Sequence, residues 1–419
     1  MIRRQLAQFG RVPTIARILI AMVAGGLVGS WLGPSAAPLE RFGTVLIGLI
    51  KGLAGPLLFF AVVDAFLRTE IERRSGLILV AIAAVNASIA LLIGLTLSNV
   101  LRPGDWIALP SGPTIRPPAT GRSIDFVREL TGLIPTSAVR PFLDNEIVPI
   151  VILAVLAGLG LRRVKNERRG QGMAGLPAVE EAAEACFRAV EIVLSWVVRL
   201  VPLAVFGVVA KTIGQQGLRP IVGLSAYVGV VMLGLAIQVL VVYQAWMILV
   251  ARMSLRRFWA GAREPVAYAL GSSSSLATLP VTLRALKVMG VSDRSARLAA
   301  CVGTNLNNDG ILLYEAIAVL MVAQISGQHL SIGQQGLVAA ACAIAGVGIA
   351  GVPDAGLISL ALVLTTVGLP IEILPILLTV DWLLSRCRAM TNVAGDMVVA
   401  ILLDRFAPKE QRKSGLEPG

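Results

Sequence analysis

The feature that most constrains this chain is its succession of long apolar segments. They lie near 16–33, 42–67, 77–101, 147–161, 186–210 and 221–251, most of them close to the roughly 20 residues that a bilayer-spanning helix requires. Only 15% of the 419 residues are charged and 56% are hydrophobic, against about a quarter charged in soluble domains. That balance excludes a water-soluble enzyme and an intrinsically disordered chain. The formal charge of +12 does not read as a nucleic-acid surface, because the arginines fall in short runs between apolar segments. Arg3, Arg4 and Arg11 precede the first span. Arg68, Arg73 and Arg74 follow the second, Arg162, Arg163, Lys165, Arg168 and Arg169 the fourth, and Arg252, Arg256, Arg257 and Arg263 the sixth. Counted by the positive-inside rule, this places the N-terminus in the cytoplasm, with the loop at about 102–146 outside. The segment 16–33 is read as an uncleaved first span rather than a signal peptide.

Cys186, Cys301, Cys342 and Cys387 are far apart, which argues for neither a disulfide framework nor a zinc site. The single histidine, His329, leaves no basis for histidine-dependent acid–base or metal chemistry.

The last third reads differently. Its apolar stretches are interrupted by Gly271-Ser-Ser-Ser-Ser275, Asn305-Leu-Asn-Asn-Asp-Gly310 and Gly351-Val-Pro-Asp-Ala-Gly356. Broken backbone at membrane depth must be buried in protein or line a wet cavity. The pattern predicts two re-entrant hairpins, near 258–289 and 332–369, each followed by a helix with a polar centre, 298–323 and 371–404. Hairpin and polar helix occurring twice, with Thr304-Asn305 echoed by Thr391-Asn392, fit an internal repeat with a site at the midplane.

Asp381, Ser385, Arg388, Asn392 and Asp396 fall at offsets that make one polar stripe on a helix. An arginine at that depth must face a cavity and have a partner. Arg386 lies off the stripe and reads as packing or snorkelling. Asn307 and Asp309 would not share a face of an unbroken helix, but Gly310 allows an unwound turn on which they converge. Asn307, Asp309, Asn392 and Asp396 supply the oxygen ligands that hard monovalent cations require. The alternative for Asn307 and Asp309 is a pair of structural N-caps. The Ser272–Ser275 run followed by Thr278-Leu-Pro280 reads as a hairpin tip whose hydroxyls and free N–H groups suit a carboxylate.

These motifs resemble the dicarboxylate/amino acid:cation symporters, the family that includes the glutamate transporters. "SSSSLATLPVTLRALKVMG" is similar to its serine-rich first hairpin and "NNDGILLYEAIAVLMVAQ" to its NMDGT helix. "GVPDAGLISLALVLTTVGLP" resembles its second hairpin and "DWLLSRCRAMTNVAGD" its final helix. The resemblance covers nearly the whole chain. It implies an all-α polytopic membrane protein of about eight transmembrane helices plus two re-entrant hairpins, a glutamate-transporter-like elevator fold and a homotrimer in the lipid bilayer. It further implies no resident cofactor, only a coupling cation, Na⁺ or H⁺.

Carried over, Ser274 and Ser275 lie near one substrate carboxylate and Arg388 binds the distal one. Ile311, Val352, Asp354, Ser385, Ala389 and Asn392 line the same pocket. The cation ligands implied are Asn307, Asp309, Asn392 and Asp396 with the Gly303 carbonyl, and Asn305 takes a threonine's place at a second cation position. Several positions depart from the family. Ser385 replaces the acidic partner of a substrate amino group, Ala389 a threonine, and Ile311 the last threonine of NMDGT. Asn308 replaces its methionine, Asn86-Ala87 a Thr-Ser pair, and Asp354 a hairpin-tip glycine.

The organisation expected is a scaffold pair of spans over 1–76, a third span on the transport side over 77–101 and mixed segments over 102–255. A transport core over 256–405 and a cytoplasmic tail over 406–419 follow. The function expected is not enzymatic: a multi-pass symporter of the inner membrane, both termini cytoplasmic, importing a small carboxylate, with a C4-dicarboxylate favoured over an amino acid because Ser385 cannot pair with an ammonium group. Glu315 is a membrane carboxylate able to carry a proton. An intramembrane aspartyl protease using Asp309 and Asp396 leaves the serine hairpin and Arg388 unexplained, and an anion channel would not accumulate substrate.

Overall fold

The computed structural model describes residues 14–68, 73–107, 135–144, 147–217, 219–348 and 355–406. Every regular element among them is helical, as an apolar chain in lipid requires. The first six long helices are α1 (Thr14–Leu32), α2 (Arg41–Arg68), α3 (Arg73–Leu101), α4 (Ile147–Gly170), α5 (Pro177–Val198) and α6 (Val201–Gln216). The α7 run begins as Arg219–Ile237, widens over Gln238–Val242, narrows for Tyr243–Ala245 and widens again over Trp246–Ala251. Then come α8 (Leu255–Ser272), α9 (Ser275–Val288), α10 (Asp309–Ile325), α11 (Ile332–Gly348), α12 (Ala355–Thr366) and α13 (Leu374–Phe406).

By length and composition alone, three stretches among the described residues can cross a membrane: Ala16–Leu46, Arg74–Leu101 and Val222–Ala251. The α13 helix has 33 residues but carries Asp381, Arg386, Arg388, Asp396 and Asp404, so composition hides its length. The segment expected as one span over 186–210 is two helices. The chain breaks at Arg199-Leu200, where Pro202 in the first turn of α6 has no N–H to continue the ladder of α5.

Two packing groups share the chain. In the first, α1 lies on α6, and α2 on α4, α5 and α6. In the second, α3 and α13 embrace α10, α8 and α9 pack on α13, and α7 closes against α3, α10 and α13. The groups meet where α13 touches α6 and where α11 and α12 touch α2 and α4. Lys165, buried on α4, closes the first group: it donates to the Leu67 carbonyl at 2.7 Å and pairs with Glu180 of α5 at 3.0 Å. The end of α2 thereby gains the cation that its unpaired carbonyls favour.

The α1–α6 contact is a small-residue seam. A Cβ on Gly25 would lie 2.6 Å from the Phe206 carbonyl oxygen, and one on Gly29 would strike the carbonyl of Ala210. Such backbone approach is how helices associate where lipid removes the hydrophobic drive. Gly29→Val should therefore destabilise the protein by about 1–3 kcal/mol, whereas Gly229→Val, which meets nothing within 4 Å, should not. Thermal unfolding of both variants in detergent checks this.

Candidate functional site

The serine run forms the tip of the first hairpin, α8 to α9, through two capping events. Ser273 closes α8 in the left-handed region (φ 57°), its N–H bonding to Ala269, and Ser274 opens α9 by accepting from the Ala277 amide at 3.2 Å. The Ser274 hydroxyl expected for substrate thus serves as an N-cap, while Ser275 begins α9, whose free amides are the anion-favouring end of the helix. Arg386 does not snorkel. It donates to the Leu270 and Gly271 carbonyls at 2.8 and 2.9 Å and so satisfies the last orphan carbonyls of α8.

The polar stripe of α13 is buried throughout: Asp381, Ser385, Arg388, Asn392 and Asp396 all face protein. Arg388 has its required partner on the same helix, Asp381, through two bonds of 2.6 and 3.3 Å. Its guanidinium also lies 4.0 Å from the ring centre of Tyr314 on α10, a cation–π contact, and backs directly onto Gly356 of α12. Ile311 and Ala389 are buried apolar neighbours on the same helices, and Ser385 spends its hydroxyl weakly on the Trp382 carbonyl, at 3.4 Å. Val352 and Asp354, the second hairpin-tip residues, lie outside the described residues. Glu315, wholly buried on α10, accepts from Ser359 of α12 and has an unpartnered second oxygen.

The break in the first polar helix lies before Gly310, not at it. A short helix (Asp293–Arg297) passes through wider and tighter turns to Asn305; residues 306–308 are irregular, and α10 starts at Asp309. Gly310 serves close approach instead: a Cβ would lie 2.8 Å from the Arg388 carbonyl oxygen. That proximity lets the Gly310 N–H donate to Asn392 Oδ1 at 2.8 Å, satisfying one orphan donor of the helix start. Asn392 Nδ2 reaches Asn308 Oδ1 at 3.3 Å, and Asn308 Nδ2 donates to the Gly346 carbonyl at 2.8 Å. Two amides thereby tie the second hairpin, the broken helix and α13 together.

Asn392 is thus committed to backbone and amide partners. The Gly303 carbonyl accepts from the Leu306 and Asn307 amides, both at 2.8 Å, so both its lone pairs are used. Asn305 sits in the single tight turn Gly303–Asn305. What converges is a smaller set. Asp309 and Asp396 are 0% and 4% exposed, each has one oxygen without a partner, and Thr304 and Asn307 lie beside Asp396. Asn86 of α3 donates to Asn307 at 3.1 Å and leaves its own Oδ1 unpartnered. Among the described residues, neither carboxylate forms a salt bridge. Two buried carboxyl groups so placed require a counter-charge or a proton, and unpartnered oxygens on three helices are the ligand type that a hard cation takes.

Residues 15–406 match the profile of the sodium:dicarboxylate symporter family. The chain belongs to that family. Named relatives match over most of their length. "C4-dicarboxylate transport protein 4" of Bradyrhizobium diazoefficiens is 30% identical, the match covering 96% of this chain and 93% of the relative. "C4-dicarboxylate transport protein" of Caulobacter vibrioides is 31% identical over 93% and 94%, and that of Paracoccus denitrificans 29% identical over 93% and 86%. This symporter-family chain is accordingly an integral membrane transporter, not an enzyme.

Tyr314, Gln238 and Tyr243 are site residues that the sequence does not single out, and Asn308 enters only as a departure from the NMDGT motif. Gln238 and Tyr243 carry a legible signal, being polar groups inside the apolar run 221–251, where buried polar side chains mark function. Tyr314 carries none, since one tyrosine in an apolar helix reads as packing.

The Arg388–Asp381 pair makes a stability prediction. Asp381→Asn leaves a buried guanidinium without its anion and should cost about 3–5 kcal/mol, more than the double replacement Asp381→Leu with Arg388→Met. Thermal unfolding of the three proteins decides the order.

Proposed function

We propose that this chain is a secondary active symporter that imports a C4-dicarboxylate with a coupling cation across a bacterial inner membrane. The observation that carries the coupling is the pair Asp309 and Asp396, buried, each with a free oxygen and neither in a salt bridge among the described residues. A cation entering between them offsets charge that the surrounding helices leave uncompensated. The gain is largest where water is excluded. Na⁺ suits the oxygen set. H⁺ is the second reading, favoured by Glu315, buried with an unpartnered oxygen beside the second hairpin.

The dicarboxylate assignment rests on charge. Arg388 provides a planar fork for one carboxylate, and the start of α9 provides amides for another. An amino-acid ammonium group would need its own buried anion. Ser385 is neutral and Asp381 is engaged by Arg388, which leaves Asp354, outside the described residues, as the alternative anion for an ammonium group. The names of the relatives support the same class. On this reading the α3, α7–α13 group moves as the carrier against the α1, α2, α4–α6 group in a homotrimer. Both termini face the cytoplasm, as the basic loops favour.

Uptake into proteoliposomes under imposed Na⁺ and H⁺ gradients tests the coupling. Asp309→Asn and Asp396→Asn should lose gradient-driven accumulation, and retention of full gradient dependence in both removes them from the cation site. Succinate or fumarate should compete with labelled substrate where aspartate does not. Arg388→Lys should raise the KM for dicarboxylate at least tenfold at unchanged membrane expression, the loss expected when a bidentate charged bond becomes a point contact. Wild-type affinity in that variant would take Arg388 out of the substrate site.

A further inference from the structure

Asp309 is held from a side that neither hairpin nor the α13 stripe supplies. Its Oδ2 accepts from Tyr243 OH at 2.8 Å and from Gln238 Nε2 at 3.1 Å, both on the α7 run. These residues are five apart. On an uninterrupted α-helix five steps turn through about 500°, which sets the two side chains about 140° apart around the axis. Two donors so oriented cannot meet on one oxygen. Between them, however, α7 is not an α-helix: over Gln238–Val242 it takes the wide turn in which the Tyr243 N–H bonds to the Gln238 carbonyl. An i→i+5 turn returns the fifth residue toward the face of the first, and such insertions favour functional sites.

The consequences at the carboxylate are specific. With Oδ2 doubly engaged, Oδ1 has no partner, and the Gln238 Oε1 and Asn86 Oδ1 atoms are likewise unpartnered. Both donors are neutral, so they fix the carboxylate without cancelling its charge. An arginine or lysine in either place would do the cation's work and exclude it. Tyr243 is braced in turn: its hydroxyl lies 3.3 Å from the Thr391 carbonyl. Position 395 must be glycine to admit it, because a Cβ there would lie 2.5 Å from the hydroxyl and 2.6 Å from Asn307 Nδ2.

We propose that the wide turn of α7 aims Asp309: Gln238 and Tyr243 are positioning residues that hold one carboxylate oxygen and leave the other to the coupling cation. This rests on Asp309 being a cation ligand. Ordering the carboxylate in advance lowers the cost of capturing a small, strongly hydrated ion, so the two side chains set cation affinity rather than substrate affinity.

The test uses the purified full-length protein without substrate. NaCl is titrated against choline chloride at constant ionic strength, and the rise in thermal unfolding temperature gives the half-saturating Na⁺ concentration. Tyr243→Phe should raise that concentration roughly tenfold, as the loss of one hydrogen bond to a charged group implies. Gln238→Leu should raise it severalfold. In proteoliposomes both variants should need a correspondingly higher Na⁺ concentration for half-maximal succinate uptake, a shift in the same ratio as the unfolding titration that a merely structural role would not produce. Unchanged half-saturation in both variants overturns the proposal, as does a lower unfolding temperature without Na⁺ combined with an unaltered Na⁺ response. Asp309→Asn separates the two levels. If Asp309→Asn still responds to Na⁺, or the wild type does not, the cation-ligand reading fails and takes the proposal with it. If Asp309→Asn is blind to Na⁺ while Tyr243→Phe and Gln238→Leu respond normally, only the positioning role falls. Should Tyr243→Phe not fold, the Na⁺ response of Gln238→Leu decides the matter alone.

Discussion

The hydrogen bond from the Gly310 amide to Asn392 Oδ1 is the contact on which the site depends. A helix that starts inside a membrane protein exposes N–H groups that no water is at hand to satisfy, and each one left unpaired costs several kcal/mol. Here the neighbouring helix supplies the acceptor, and only a glycine lets it come close enough. Once α10 and α13 are locked at that point, the remaining geometry follows. Asn308 is placed to reach the second hairpin, Tyr314 lies under the Arg388 guanidinium, and Asp309 and Asp396 come to face one another's surroundings. The break in the helix is therefore held in place by bonds on both sides.

The charges within this frame are sorted. Toward one end of the shared α10–α13 surface lies a compensated pair, Arg388 with Asp381. About two turns further along α13 lies an uncompensated one, Asp396 with Asp309. A carrier for an anion and a cation needs both kinds of place, one that offers positive charge to an acid and one that offers negative charge to a metal ion or proton. Helical spacing along one stripe keeps them apart while α10 and the Asn308–Asn392 bond keep them mechanically joined.

How much of this is readable in the sequence depends on whether a residue acts through its own periodicity or through a neighbour. The stripe Asp381–Asp396 and the serine hairpin are legible because helical spacing and capping chemistry are local rules. The division of 186–210 at Arg199-Leu200 is open to the same kind of rule, through Pro202, but a hydropathy average smooths over it. Gly310 reads as an unwound turn because glycine is a helix breaker in general, whereas its work here is steric and involves α13. The wide turn in Gln238–Val242 leaves no trace, since Gln-Val-Leu-Val-Val holds neither proline nor glycine. Its stabilising partner, Asp309, is 71 residues away. Arg386 misleads for a related reason: its acceptors belong to a hairpin more than a hundred residues upstream.

The bidentate grip of Asp381 on Arg388 makes the helix its own rival ligand. On the proposed reading, an incoming acid does not meet a vacant guanidinium; Nη1 and Nη2 already hold a carboxylate tethered seven residues away, and the acid competes with it for those donors. A tethered competitor acts at an effective concentration fixed by geometry, whatever the concentration in solution, and it divides the apparent affinity of the guest by the fraction of time the host is free. Affinity at such a site can be tuned by loosening or tightening the rival without altering any group that touches the guest. A mutation at Asp381 would then read, in transport data alone, as an improvement in substrate binding made by a residue that never binds substrate.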